Sequence, residues 1–479
     1  DNSGWCCRCN GFDRCCSARA SIAGHAVAIS IIDGGCGPDC LRSAGCSQVQ
    51  LVVGIGEDRW TRSADNSRSP TLASMSSGSK IHIVVVGAGF AGLACARTLS
   101  NSEQIHVTLI DKHPYQLFAP LLYQVATGGL PEDDIAYPVR AAIPGIDFIR
   151  GEVVRVNESE GTLRLASGTE IEWDRLVLAT GSVGNSFNIP GVDEHALQMK
   201  DVYQARAIKH RLLGTYERVQ EGEEPKENLQ VAVVGGGPTG VELAGAIAEL
   251  QKQMSHEFPQ IAEHAHVTLV EAGPRLLPSF SEKSSEHARK ALTKLGVEVM
   301  LDSAVDRMYP TDIHLKSGRI LSAGTTIWAA GVAAEKQWTG LGEADRLNRL
   351  VVDEYLRLDD NVWVIGDMAH VEAEEGRPLP MVASVALQQG KYVAKSILSD
   401  SAIEPFRYRD KGQMATVGRR LAVVELPNGL RLHGTLAWLS WLALHVAYLA
   451  GGRNRVSVIA DWFWNYLAWG SGPRRTIIE

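Results

Sequence analysis

The stretch Ile81–Gly92, IHIVVVGAGFAG, decides the fold. Ile81, Ile83 and the run Val84–Val86 are β-branched and nearly continuous, the character of a strand buried on both faces of a parallel sheet. Gly87, Gly89 and Gly92 follow at GxGxxG spacing, with Phe90 and Ala91 between the last two, and Leu93–Leu99 opens a helix. Gly87 permits the tight turn, Gly89 lets the backbone approach a pyrophosphate, and Gly92 lets helix and strand pack closely. The phosphates would sit at the helix N-terminus, where unpaired N–H groups and the helix dipole favour negative charge. A second apolar strand, Val107–Ile110, ends on Asp111, roughly the 20 residues on at which a carboxylate can take a ribose 2′-OH.

The pattern then recurs. Val231–Val234 reads as a strand, Gly235, Gly237 and Gly240 repeat the glycine spacing, Val241–Leu250 reads as a helix, and Val267–Val270 ends on Glu271. One GxGxxG is a weak signal; two copies, each with a following strand and acid, are specific. Glu271 would accept from a free 2′-OH and repel a 2′-phosphate, which favours NAD(H), although Arg275 lies close enough to oppose this. Three further buried strands end on small residues: Arg175–Leu178 before Thr180 and Gly181, Thr325–Trp328 before Ala330 and Gly331, and Val362–Ile365 before Gly366 and Asp367. The expected fold is α/β, with two Rossmann-like dinucleotide-binding domains, the second inserted in the first. Residues 80–190 and 329–405 would form the split first dinucleotide-binding domain, and 191–328 the inserted second one.

Hydrophobic residues make up 45% of the 479 and charged residues 21%, so there is ample core. A net charge of −8 without any Lys/Arg-rich run excludes general nucleic-acid binding. Eight of the nine cysteines precede the first clear strand, and their paired CC steps match neither a zinc site nor a CxxC redox motif, so no metal is expected. Residues 1–79 read as a disordered extension without a fold of its own; Ala26–Ile32 and Val49–Ile55 have strand character but no visible sheet to join. Lys112–Gly129 reads as a buried irregular loop lining a ligand, Gly151–Trp173 as a small β-meander, and Ile313–Ile320 as a hairpin.

The tail is different text. Phe406–Glu479 holds ten Lys/Arg against four Asp/Glu, and five of the eleven tryptophans. Leu432–Gly452 carries no Asp, Glu, Lys or Arg and is bracketed by Arg431 and Arg453. An interfacial membrane helix suits these aromatic, basic-flanked residues best; a spanning helix and a buried soluble helix are the alternatives. In the interfacial reading Trp438, Trp441, Trp462 and Trp464 lie at headgroup level, with Arg453 and Arg455 near anionic lipid.

From Lys80 to Glu479 the chain resembles the type II NADH dehydrogenases, single-subunit, non-proton-pumping NADH:quinone oxidoreductases of the respiratory chain. The resemblance rests on IVVVGAGFAGL, VTLIDKHPYQLFAPLLYQVATGGL, LVLATGS, VAVVGGGPTGVELAGAIAEL, IWAAGV, VIGDMA, ASVALQQGKYVA and RDKGQMATVGRR. It implies non-covalent FAD in the first domain, NADH as substrate in the second, a membrane quinone as acceptor, and a C-terminal helical segment at 406–479 that holds the protein peripherally on the cytoplasmic face of the cell membrane, against lipid. A homodimer is compatible with it. Gly87, Gly89, Phe90, Ala91, Gly92, Asp111, Thr180, Gly181, Gly366 and Asp367 would then face FAD, Gly235, Gly237, Gly240 and Glu271 would face NADH, and Ala330 and Gly331 would also be cofactor-binding. Glu242 would organise the nicotinamide or the quinone-side protons, Gln388 and Gln389 would stand on the quinone side, and Lys411 would join these three as a catalytic residue. The first Gln of the family's AQxxxQ motif is Ser384 here. A soluble NADH-dependent reductase of another acceptor, or a redox-sensing flavoprotein, is the alternative reading.

Overall fold

The computed structural model describes residues 80–373, 376–399 and 403–467, together with the backbone of three strands nearer the N-terminus. Those strands, β1 (Cys15–Ile22), β2 (His25–Ile32) and β3 (Gln50–Gly54), form an antiparallel sheet in that order. The strands anticipated at 26–32 and 49–55 thus have a partner. They pair with each other, and β2 pairs also with Cys15–Ile22, whose small residues and paired cysteines give little strand signal. This corrects the expectation that those two strands have no sheet to join; the lead-in 63–79 lies outside the described residues.

In the body, β4 (Ile81–Val86) runs into α1 (Phe90–Leu99) and β5 (Ile105–Asp111). The segment expected to be an irregular loop holds a short helix, α2 (Leu122–Ala126), whose Leu122, Tyr123, Val125 and Ala126 are buried. β6 (Asp147–Arg150) and β7 (Arg175–Leu178) follow. The chain then passes through β8 (Val183–Gly184) into β9 (Leu197–Gln198), α3 (Val202–Gln220), β10 (Val231–Val234), α4 (Pro238–Glu257), β11 (Val267–Val270), α5 (Glu282–Lys294), β12 (Glu298–Met300) and β13 (Thr325–Trp328). It returns through β14 (Val332–Ala333), antiparallel to β8, and continues into β15 (Arg357–Asp359), β16 (Val362–Val364) and α6 (Ala383–Leu398).

Two sheets result. The first has the order β15-β16-β7-β4-β5-β6 and the second β9-β13-β10-β11-β12; apart from antiparallel β15, every pairing in them is parallel. All strands of the second sheet lie in sequence between β7 and β16 of the first. Ile83, Val84 and Val85 are fully buried, as a central strand covered on both faces requires. The meander and the hairpin are present as three-stranded antiparallel sheets over Val153–Glu172 and Val305–Ser322.

The tail forms a sheet, β17 (Gln413–Gly418), β18 (Leu421–Glu425) and β19 (Arg431–His433), then helices α7 (Gly434–Tyr448) and α8 (Gly452–Leu467). It is not an appendage. Val417, Val423, Trp441, Leu449, Val458 and Trp462 share one hydrophobic core with α2, α3, α4 and the second sheet. The interfacial placement of the tryptophans is corrected accordingly: Trp441 and Trp462 are 1% and 6% exposed and Trp438 is buried, whereas Trp464 is 66% exposed. Burying a large apolar side chain contributes on the order of 2 kcal/mol, so these indoles stabilise the fold from within. Arg455 is occupied as well, donating to the Ala447 and Leu449 carbonyls at the end of α7. Among the described residues no helix is long and apolar enough to cross a membrane.

Candidate functional site

The two glycine loops are built alike. Gly87 and Gly235 have φ of +105° and +116°, where a side chain would be strained. A Cβ on Gly92 would lie 1.9 Å from the Gly87 carbonyl oxygen, and one on Gly240 1.8 Å from that of Gly235. Around Gly89 and Gly237, in contrast, the space is open. The helices that start there also lack a capping side chain, whereas Asp201 and Ser281 cap α3 and α5. Each loop is thus packed where it must turn and open where its N–H groups point, a cradle that fits a dinucleotide pyrophosphate.

The two acids repeat the correspondence. Asp111 accepts from the N–H of Ala88 (2.6 Å) and of His113 (2.7 Å). Glu271 accepts from the N–H of Gly236 (2.5 Å) and of Gly273 (2.6 Å). Each carboxylate therefore pins its glycine loop and retains lone pairs for a ribose. Arg275 donates to the Pro278 carbonyl, so its guanidinium is already engaged close to its own backbone. Ala330 lies against the turn at Gly235, and Gly331 packs on Phe187.

At the carboxyl ends of β7 and β16 the first sheet brings Thr180, Gly181 and Ser182 beside Gly366, Asp367 and Met368. Thr180 donates from both N–H and hydroxyl to the Met368 sulfur (3.3 and 3.2 Å). Ser182 donates to Asp367 Oδ2 (2.6 Å) and accepts from Lys200 Nζ (3.0 Å). Gly366, at φ +76°, donates its N–H to Gln389 Oε1 (2.7 Å), so the buried Gln389 amide holds this turn. Ala91 packs against the same turn, and Phe90 meets Phe118 edge-on. Gln388 instead ties the tail to α6: it accepts from the Arg409 N–H (3.0 Å) and donates to the Arg409 carbonyl (2.9 Å). Ser384 bonds Tyr408 (2.9 Å), and Lys411 is exposed where the chain enters β17.

Glu242, one turn into α4, is half-buried and meets polar groups from β17 and α7. It accepts from the Thr416 N–H (3.1 Å) and hydroxyl (3.4 Å) on β17, and from Trp441 on α7. Thr416 bonds the Tyr123 hydroxyl (3.0 Å), Gln124 donates to that hydroxyl (3.0 Å), and Trp462 donates to Gln124 (2.8 Å). Burial pushes the Glu242 carboxyl up to about 8 against the opposing hydrogen bonds, so it is mostly protonated at neutral pH. His445, stacked on Trp441 at 3.8 Å, is lowered to about 4 by its burial and is neutral.

Residues 81–390 match the family described as pyridine nucleotide-disulphide oxidoreductase, and residues 411–469 the NDH2 C-terminal domain. The chain is 34% identical over 414 residues to a type II NADH:quinone oxidoreductase of Mycobacterium tuberculosis, covering 81% of this chain and 88% of that protein. It belongs to the type II NADH:quinone oxidoreductases. The corresponding Staphylococcus aureus protein is 32% identical over 352 residues, 70% of this chain and 87% of that one. In fold it is similar to the Plasmodium falciparum NDH2 solved in complex with NADH, at a TM-score of 0.77 and 21% identity, covering 83% of this chain and all of that one. A sulfide:quinone oxidoreductase of Aquifex aeolicus shares the fold at 0.62 and 19% identity. From Lys80 onward, however, this type II NADH:quinone oxidoreductase has one cysteine, Cys95. It is buried on α1 with its thiol pushed up to about 12, which makes it a poor nucleophile.

Sequence reasoning left Lys200, Ser182 and Thr416 of this type II enzyme without a site role, and placed Trp441 at the membrane instead of beside Glu242. Ser182 and Thr416 lie inside stretches that carry the resemblance, LVLATGS and RDKGQMATVGRR. Lys200 lies outside any motif, and only the sheet arrangement brings it to Ser182.

Proposed function

We propose that the enzyme binds FAD on the first glycine loop and NADH on the second, and delivers the electrons of NADH to a membrane quinone. The observation that carries this reading is the duplicated loop, packed at Gly87, Gly92, Gly235 and Gly240 and open at Gly89 and Gly237. In it, residues 80–190 and 329–405 are the split FAD domain and 191–328 the inserted NADH domain. Bound FAD would supply the acceptor that takes hydride from NADH and passes two electrons onward. Asp111 and Glu271 would hold the two adenosine riboses, and Asp367 with Thr180 and Gly181 the ribitol side of the flavin. Glu242, neutral and set between α4 and the tail, has a proton to give as the quinone gains negative charge.

Membrane attachment, in this reading, comes from the outer faces of α7 and α8. Leu436, Leu439, Val456, Ile459, Phe463 and Trp464 are at least half exposed there, more apolar surface than a helix pair facing only water would carry. The test is anaerobic mixing. NADH should bleach the bound flavin rapidly, NADPH should do so poorly, and a short-chain quinone should restore the colour. A flavin that NADH leaves oxidised, or that quinone does not reoxidise, sinks the assignment.

A further inference from the structure

Lys200 follows β9, the edge strand of the second sheet, and precedes Asp201, the cap of α3. Its own N–H donates to Gln204 Oε1 (2.7 Å), which fixes its backbone. Its ammonium nevertheless reaches the first sheet, donating to Ser182 Oγ, which in turn donates to Asp367 Oδ2. Ser182 and Asp367 follow adjacent parallel strands, β7 and β16, at the carboxyl edge where ligands of such sheets bind. We propose that Lys200 is a positioning residue of the flavin site, supplied by the segment that leads into the second sheet, and that it orients Ser182 and Asp367 while placing a positive charge beside the flavin.

Three considerations support this. Burial lowers the affinity of Lys200 for its proton, and the attraction of Asp367 opposes that. A methionine would fill the same space without the desolvation cost, so packing alone does not account for an ammonium here. The hydroxyl of Ser182 has one proton; accepting from Lys200 commits that proton to Asp367, so the order Lys200–Ser182–Asp367 fixes the rotamer of all three. A flavin gains negative charge on reduction, and a nearby cation in a partly dehydrated site favours the reduced form.

The inference rests on the proposal that FAD occupies the first loop. The full chain, purified with its flavin, is titrated with dithionite against a reference dye. Lys200→Met should shift the balance between oxidised and reduced flavin at least tenfold toward oxidised, about 30 mV more negative for a two-electron couple. Lys200→Arg should recover most of the shift. Ser182→Ala, which breaks the relay and keeps the charge, should move the potential in the same direction by less, and it serves as the test if Lys200→Met does not fold. A folded Lys200→Met with the wild-type potential overturns the inference, as does a Lys200→Arg protein that matches Lys200→Met. With Ser182→Ala standing in, an unchanged potential does the same. A wild-type chain that binds no flavin overturns the FAD assignment and this inference with it.

Discussion

Glu242 and Thr416 are 174 positions apart in the chain, yet the carboxyl of one accepts from both the N–H (3.1 Å) and the hydroxyl (3.4 Å) of the other. Through this pair the helix behind the second glycine loop is joined to the tail.

The same pair predicts a pH dependence. An acid whose pKa rises on folding, here from 4.5 to about 8, takes up a proton on folding. Its ionisation is therefore neutral for stability below pH about 4.5 and costs up to ~1.4 kcal/mol per unit as pH climbs toward about 8. His445, Tyr123 and Trp441 surround the site, and of these only His445 titrates in the acid range, with the opposite sign. Glu242→Gln removes the alkaline cost. Its Tm should gain on the wild type as pH rises from about 5 to about 8. Parallel Tm curves would show that Glu242 ionises as freely folded as unfolded. Quinone reduction by the wild type should also decline through pH about 8, with that limb absent in the variant.

Glu271→Ala leaves the N–H groups of Gly236 and Gly273 without their acceptor. The loss of a charged hydrogen bond, about 1–3 kcal/mol, should weaken NADH binding roughly five- to 150-fold. Preference over NADPH should fall in the same variant, since the repulsion is gone. Fluorescence titration of both nucleotides measures this, and unchanged selectivity would remove Glu271 from the ribose.

Two neighbouring glycines should fail differently. Gly240→Ala puts a methyl 1.8 Å from the Gly235 carbonyl oxygen, so the apoprotein should lose about 1–3 kcal/mol and melt earlier. Gly237→Ala meets nothing within 4 Å, so its Tm should hold while NADH affinity drops. Calorimetry with and without nucleotide separates the two, and equal Tm losses would contradict the open cradle.

The tail should behave as two surfaces. Replacing exposed Leu436, Phe463 and Trp464 by Gln should release the protein from anionic vesicles in co-sedimentation while reduction of a water-soluble acceptor continues. Truncation before Leu432 removes Trp441, Val458 and Trp462 from a shared core. It should therefore unfold the region around α2 and not merely detach the enzyme. A truncated protein with wild-type Tm would show the tail to be a separable anchor.

The nucleotide loops were legible because their chemistry is local: turn, open N–H groups and acid all lie within a strand–helix–strand unit. The tail was not. Trp438, Trp441 and Trp464 are equivalent to a sequence reader, since an indole suits a core as well as an interface. Only the packing partners, Tyr123 and Trp462 for Trp441, decide which. Gln388 and Gln389 are adjacent and identical in type, but helical geometry turns one to the Arg409 backbone and the other into the Gly366 turn. Lys200 was hidden because its partners come from another sheet.

The contact between α4 and β17 has a mechanical meaning. A Cβ on Gly245 would lie 1.8 Å from the Val417 carbonyl oxygen, so helix and strand touch backbone to backbone there. The helix that starts at the second glycine loop thus acts as a stiff lever whose far arm rests on the tail. Gly245→Ala would prise the two arms apart, and calorimetric NADH binding by that variant would show how much of the displacement the lever carries to the nucleotide loop.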